Sequence, residues 1–300
     1  MNTDIIDDRK AVIQPLNKFW YQSKVAALDM LRLDLLHPLL SGNKWFKLRL
    51  NAMFAKDHDY KTLVTFGGGY SNHLIATAFA ARKWGLKSVG IVRGNYETLT
   101  PTLQECVNEN MELIFTTREE YKNKDNPDWV YNLAGRFEDI YIIPEGGANE
   151  KGRAGAGLMD RFIKNTYSHI VLSVGSGTTL IGLRDKLPVS QYIMGFVPMK
   201  EGKYMGKYIS SIVQPPKNKN WELFDEWHFG GFAKWNKDLI VFMNEFYEEN
   251  KIPLDAIYTA KMMYGLQQML LDNHFSSCDK ILCIHTGGLQ GNSIMPGLIY

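Results

Sequence analysis

Short apolar runs alternate with amphipathic stretches along most of the chain. Residues 62–66 (TLVTF) read as a buried strand. The run ends in Gly67-Gly-Gly69, and residues 71–84 then follow a helical pattern. Ala76, Ala78, Ala80 and Ala81 favour helix there, and Ser71 suits its N-cap. Residues 88–92 predict a second strand. Residues 100–110 predict a helix with Pro101 at its first position, and 111–116 and 139–144 predict further strands. A second series repeats the alternation: a helix over 151–166, a strand over 169–174, a helix over 178–186 and a strand over 191–198. Helices over 236–250 and 258–273 and a strand over 280–285 complete it. Residues 200–220 are mixed and polar and read as a loop-rich excursion.

Strands separated by helices predict an α/β fold whose mostly parallel, twisted sheets are flanked by helices. Three of the predicted strands run into glycine turns, at Gly67–Gly69, Gly175–Gly177 and Gly287–Gly288. In open α/β sheets ligands sit at the carboxyl ends of strands. Three such turns predict a site where backbone approaches a ligand closely.

Composition narrows the function classes. The net charge of +2 gives no electrostatic case for nucleic acid or an anionic membrane. Cys106, Cys278 and Cys283 are few, odd in number and without a C-x-x-C pair, which argues against a disulfide framework and for a reducing compartment. All three read as small buried apolar residues. The polar, acidic start of the chain is unlike a signal peptide, and no apolar run approaches the ~20 residues of a membrane helix. A cytoplasmic enzyme is the expectation, with no metal site.

Two segments carry candidate chemistry. In Val171-Leu-Ser-Val-Gly-Ser-Gly-Thr-Thr-Leu-Ile-Gly-Leu183 a strand, a hydroxyl-bearing glycine turn and a helix start would present free N–H groups to an anion. The segment lacks both the G-K-[ST] ending of a P-loop and G-x-G-x-x-G, which argues against nucleoside triphosphate hydrolysis and against a dinucleotide-binding module. A tight turn needing glycine is the plainer alternative. In Leu40-Ser-Gly-Asn-Lys-Trp-Phe-Lys-Leu-Arg49, Lys44 and Lys47 share one face if the segment is helical. That face is either a solvated basic surface or the place of an imine-forming lysine. A lysine of that kind together with a phosphate cradle suggests pyridoxal 5′-phosphate.

Ser41-Gly-Asn-Lys-Trp-Phe-Lys-Leu48 resembles the cofactor-lysine segment of the 1-aminocyclopropane-1-carboxylate (ACC) deaminase and D-cysteine desulfhydrase family, of the tryptophan synthase β-like, fold type II group. Further similar segments follow in order: Gly67-Gly-Gly-Tyr-Ser-Asn-His73, Pro144-Glu-Gly-Gly-Ala-Asn149, Gly175-Ser-Gly-Thr-Thr179, Leu254-Asp-Ala-Ile-Tyr-Thr-Ala-Lys-Met-Met263 and His285-Thr-Gly-Gly288. The resemblance covers nearly the whole chain.

It implies roles residue by residue. Lys44 would hold the cofactor as a Schiff base and move protons. Lys47 would neutralise the phosphate, alongside the turn Gly175, Ser176, Gly177 and the hydroxyls of Thr178 and Thr179. Asn72 would bond the cofactor's phenolic oxygen, Ser71 would face the substrate carboxylate or carry a proton, and Tyr258 would stand over the substrate. Thr259 and Thr286 would lie near the pyridine ring. Structural alternatives stand beside these: Ser71 as a cap only, Tyr258 as a core tyrosine, His73 as packing, His285 as a structural histidine, and Glu145-Gly-Gly147 as the shaper of a crossing between domains.

ACC deaminases carry Glu and Leu where this sequence has Thr259 and Thr286; D-cysteine desulfhydrases carry hydroxyls at both. The resemblance therefore implies β-elimination from D-cysteine, giving pyruvate, ammonia and sulfide. ACC deamination is the alternative, and a non-catalytic cofactor binder is another. One departure is Phe232, in His228-Phe-Gly-Gly-Phe-Ala233, where the family often has a second active-site tyrosine. Two domains are expected, 1–46 with 156–300 as the larger and 47–155 as a smaller inserted one. The family also implies a homodimer.

Overall fold

The computed structural model describes residues 5–40 and 42–300; residues 1–4 of the polar start and Ser41 of the lysine segment lie outside the described residues. The chain begins with β1 (Val12–Pro15) and β2 (Ala27–Arg32). It continues through α1 (Asn43–Asp57), β3 (Thr62–Gly68), α2 (Asn72–Trp84), β4 (Lys87–Arg93), α3 (Pro101–Asn108), β5 (Met111–Thr116), α4 (Pro127–Ala134) and β6 (Ile140–Ile142). Then come α5 (Glu150–Gly157), β7 (His169–Ser173), α6 (Thr178–Lys186), β8 (Tyr192–Phe196), α7 (Met205–Ile212), β9 (Trp221–Phe224), α8 (Lys237–Asn250), α9 (Thr259–Leu271) and β10 (Lys280–His285).

These strands form two sheets. One has the order β1-β2-β10-β7-β8-β9, parallel except for the β1–β2 pair. The other has the order β5-β4-β3-β6 and is parallel throughout. Helices cover both faces, so the central strands need no polar side. On β7, Ile170 and Leu172 enter one apolar cluster while Val171 between them enters another. The expected mostly parallel α/β fold is what the chain adopts.

Side-chain caps set the helix starts where the sequence pointed to them. Ser71 accepts from the backbone N–H of His73 and Leu74, and Thr100 from Leu103 with Pro101 following it. α5 joins the sheets by packing against α1 and α6. Its glycines make that approach possible: a Cβ on Gly155 would lie 2.0 Å from the Phe46 carbonyl oxygen. Trp45 of α1 also stacks on Trp84 of α2, with ring centroids 5.7 Å apart.

Several expectations change. The helix over 151–166 stops at Gly157 and continues as a 3-10 turn, Leu158–Phe162, since Gly152, Gly155 and Gly157 lower its propensity. The excursion over 200–220 contains α7, which buries Met205 and Ile209, and leads into β9. Cys106 and Cys283 are buried as expected, but Cys278 is exposed. No helix among the described residues is long and apolar enough to cross a membrane.

Candidate active site

A cavity of about 1040 Å³ opens at the carboxyl ends of β3, β7 and β10, lined by residues that follow all three strands and by the start of α1. Its position follows the rule for open parallel sheets. The cavity brings together Lys44, Lys47, Ser71, Asn72, Gly175, Ser176, Gly177, Thr179, Tyr258 and Thr286, residues scattered over most of the sequence.

α1 is seated by Gly42. This residue has φ +65°, and a Cβ there would lie 1.8 Å from the carbonyl oxygen of Thr286. Only glycine fits, so the first turn of α1 rests on the turn after β10. Lys44 Nζ donates to Asn43 Oδ1 at 2.8 Å, and Asn43 Nδ2 donates to Thr179 Oγ1 at 2.8 Å. The amine is thus tied through one amide to the first turn of α6. Burial lowers the Lys44 pKa to about 8, against an opposing pull from the Asp255 carboxylate. Lys47, one turn on, is 5% exposed, and burial and then Lys44 hold its pKa well below the usual lysine range. A solvated basic face is therefore excluded.

The turn after β7 joins strand to helix through glycine, the geometry expected of an anion cradle. Gly177, with φ +76°, precedes α6 and no side chain caps that helix. Its first amides are left for a ligand, at the positive end of the helix dipole. Ser176 and Thr178 share a hydroxyl contact at 2.8 Å. Thr178 is 1% exposed and stands off the cavity wall, which Gly175, Ser176, Gly177 and Thr179 form.

On the smaller sheet's side, the Ser71 oxygen is occupied as the α2 cap, accepting at 3.3 Å from both amides. Its proton remains to be donated into the cavity. Asn72 also lines the cavity and packs on the turn after β10: a Cβ on Gly288 would lie 2.6 Å from Asn72 Nδ2. His73 is buried beside Gly147 and Lys47, and no hydrogen bond of normal geometry reaches either ring nitrogen. Burial, then Lys44 and Lys47, lower its pKa to about 3, so the ring is neutral at ordinary pH.

Tyr258 covers the cradle from above, its ring over Gly175, where an added Cβ would lie 3.3 Å from Tyr258 Cε1. Burial, then the Asp255 and Glu145 carboxylates, push its pKa up and keep the phenol protonated. Asp255 fixes the turn that carries it. One carboxylate oxygen accepts from the amides of Ile257 and Tyr258, the other from the amide and hydroxyl of Thr259. Thr259 therefore lies behind the cavity wall, fully buried, while Thr286 lines it. Phe232 lines the cavity too, edge-on to Tyr258 with ring centroids 6.0 Å apart.

His285 is built into the support. Its Nε2 donates to the Pro253 carbonyl at 2.7 Å, and its Nδ1 accepts from the Gly287 amide at 3.2 Å. Asp34, paired with Arg32 at 2.6 Å, lies 3.5 Å from the same Nδ1. Sequence reasoning passed over Asp255 and assigned Glu145 to a crossing, although Glu145 also lines the cavity. The signal for Asp255 is an aspartate placed shortly before a helix start.

The donor set fits pyridoxal 5′-phosphate: an amine of lowered pKa linked through Asn43 to the first turn of the uncapped α6, a buried lysine one turn on, and buried polar atoms without partners, at His73 and Ser173 Oγ, on the cavity wall.

Comparison with known proteins agrees. Residues 23–287 match the family described as pyridoxal-phosphate dependent enzyme. A putative 1-aminocyclopropane-1-carboxylate deaminase of Thermotoga maritima is 30% identical over 277 residues, which is 86% of this chain and 87% of that one. A D-cysteine desulfhydrase of Klebsiella pneumoniae is 27% identical over 271 residues, 83% of each chain. The crystal structure of an ACC deaminase homologue superposes with a TM-score of 0.81 at 25% identity, covering 94% of this chain and 90% of that one. The chain belongs to the pyridoxal-phosphate-dependent enzymes, within the group of ACC deaminases and D-cysteine desulfhydrases.

Proposed function

We propose that the protein is a lyase that eliminates the β-substituent of a small amino acid, with D-cysteine as the reference substrate and pyruvate, ammonia and sulfide as products. One observation carries the reading: the cavity wall at the end of β10 offers a hydroxyl, Thr286, while Asp255, packed against the same turn at Gly288, is saturated by donors of its own turn. A carboxylate free to protonate the ring nitrogen would favour the ACC deaminase reading instead.

Lys44 would hold the cofactor covalently, and Lys47 with the amides of residues 177–179 would hold its phosphate. Asn72 would bond the phenolic oxygen. When bound, the cofactor withdraws electrons from the α-carbon and makes its proton acidic. Lys44, with its lowered pKa, is the base that takes that proton. Ser71 has its oxygen engaged and its proton free, so it would donate to the substrate carboxylate. Tyr258, held protonated, would pass a proton to the leaving sulfur. We also read residues 47–155 as an inserted domain, since all four strands of the smaller sheet fall within that range. Closure of that domain would expel water from the site.

The test is product analysis of the holoenzyme with D-cysteine, L-cysteine and ACC in turn. Pyruvate and sulfide from D-cysteine are expected. Release of 2-oxobutyrate from ACC, with none of those products, would replace this reading by deamination.

A further inference from the structure

The wall beyond Tyr258 is aromatic and exposed. Phe232, Tyr208 and Tyr204 all line the cavity and are 44%, 41% and 66% exposed. Met199 and Lys234 line the same cavity. This wall is held in place. Lys261 Nζ donates to the carbonyls of His228 and Gly231 at 2.8 and 2.9 Å, which fixes the turn just before Phe232. α7 is fixed as well. A Cβ on Gly177 would lie 3.4 Å from Ile209 and 3.6 Å from Met205, so that helix packs on the cradle and carries Tyr208 beside it.

With the substrate carboxylate at Ser71, on the smaller sheet's side of the cavity, a side chain that reaches Tyr258 would next meet Phe232, whose ring centroid lies 6.0 Å from that of Tyr258. Hydrogen sulfide as leaving group would end at Tyr258 and leave that wall in water. Aromatic surface gains most when an apolar, preferably aromatic, group covers it. We infer that the β-substituent of the preferred substrate carries an apolar or aromatic group, so that the enzyme acts on S-substituted cysteines of the S-benzyl kind. The inference rests on the elimination reading above.

The reaction balances without a further reactant. The α-proton leaves, and its electron pair forms the Cα–Cβ double bond. The Cβ–S bond breaks, and its pair departs with sulfur, which takes a proton and leaves as a thiol. The resulting three-carbon enamine takes up one water to give pyruvate and ammonia.

The experiment compares kcat/KM for pyruvate release from cysteine and from S-benzylcysteine of the same chirality. The holoenzyme should prefer S-benzylcysteine by about tenfold or more. Phe232→Ala should remove most of that preference, and Tyr208→Ala, on a separate element, part of it. A wild-type preference for cysteine would overturn the inference, as would a preference unchanged in both variants. Should neither amino acid release pyruvate, the elimination reading itself fails. Calorimetric binding of the same two amino acids to the holoenzyme then decides: tighter binding of S-benzylcysteine that weakens in Phe232→Ala upholds an aromatic-binding wall, and equal binding overturns it.

Discussion

The hydroxyl of Thr259 donates to a carboxylate oxygen of Asp255 across 2.7 Å, and the same oxygen accepts from the Thr259 amide at 2.9 Å. The Asp255 amide in turn donates to the Thr259 hydroxyl at 2.8 Å. Thr259 is thereby committed to the turn that carries Tyr258, and of the two threonines Thr286 is the one that faces the cavity. Thr259→Val should cost about 1–3 kcal/mol in urea unfolding, through the partners it strands, and leave the cofactor's visible absorption in place. Thr286→Val should shift that absorption. The reverse pattern would assign the ring contact to Thr259.

The lowered Lys44 pKa gives a pH dependence of cofactor capture. An imine forms from the neutral amine, so capture by the cofactor-free protein should quicken roughly tenfold per pH unit below about 8 and level off above it. Stability follows the same proton. Between about 8 and the ordinary lysine value of 10.5 the unfolded chain holds a proton that the folded one does not. The cofactor-free protein should therefore gain stability as pH rises through that window. Stopped-flow absorbance and denaturant titrations at several pH values check the two effects.

Ser71 serves two ends, and two variants separate them. Ser71→Ala removes the α2 cap and should cost about 1 kcal/mol. It also removes the hydroxyl that would meet the substrate, so kcat/KM should fall further than stability explains. Ser71→Thr keeps both an oxygen for the cap and a proton for the substrate and should restore most of each. Equal activity in the alanine and threonine variants would leave the cap as the residue's whole role.

Asp34 holds Arg32 at 2.6 Å and stands 3.5 Å from His285, all three nearly inaccessible. Asp34→Ala leaves the Arg32 charge buried without that partner and should cost about 3–5 kcal/mol in urea unfolding. A cost under 1 kcal/mol would show that the site's support does not depend on this pair.

How much of this was legible in the sequence varied with its cause. β5, β10 and α6 begin and end where apolar pattern, proline and glycine put them. β2 was hidden because ALDMLR carries Asp29 and Arg32 inside a largely buried strand, where distant Tyr167 bonds Asp29, and Gln14 of β1 with the neighbouring Asp34 bonds Arg32. α7 was hidden because its apolar positions, Met205, Tyr208, Ile209 and Ile212, are interleaved with glycine, lysine and serines within a mixed polar stretch. The cavity's lysines were visible as types but not as burial. Lys47 looks the same on a wet face as under Gly147, and the difference comes from α1 packing on the Glu145–Gly147 turn. The partition of Thr259 and Thr286 was likewise out of reach, since it depends on the carboxylate of Asp255.

Three lysines, the half-buried Lys44 and the buried Lys47 and Lys261, have lowered pKa values, and only an amine able to lose its proton can hold the cofactor covalently. Borohydride reduction of the holoenzyme, followed by digestion and mass spectrometry, asks which one does. The account predicts a cofactor mass on the peptide containing residues 43–46, fixed at Lys44, and its loss in Lys44→Ala. A cofactor fixed at Lys47 or Lys261 in the wild-type protein would contradict it.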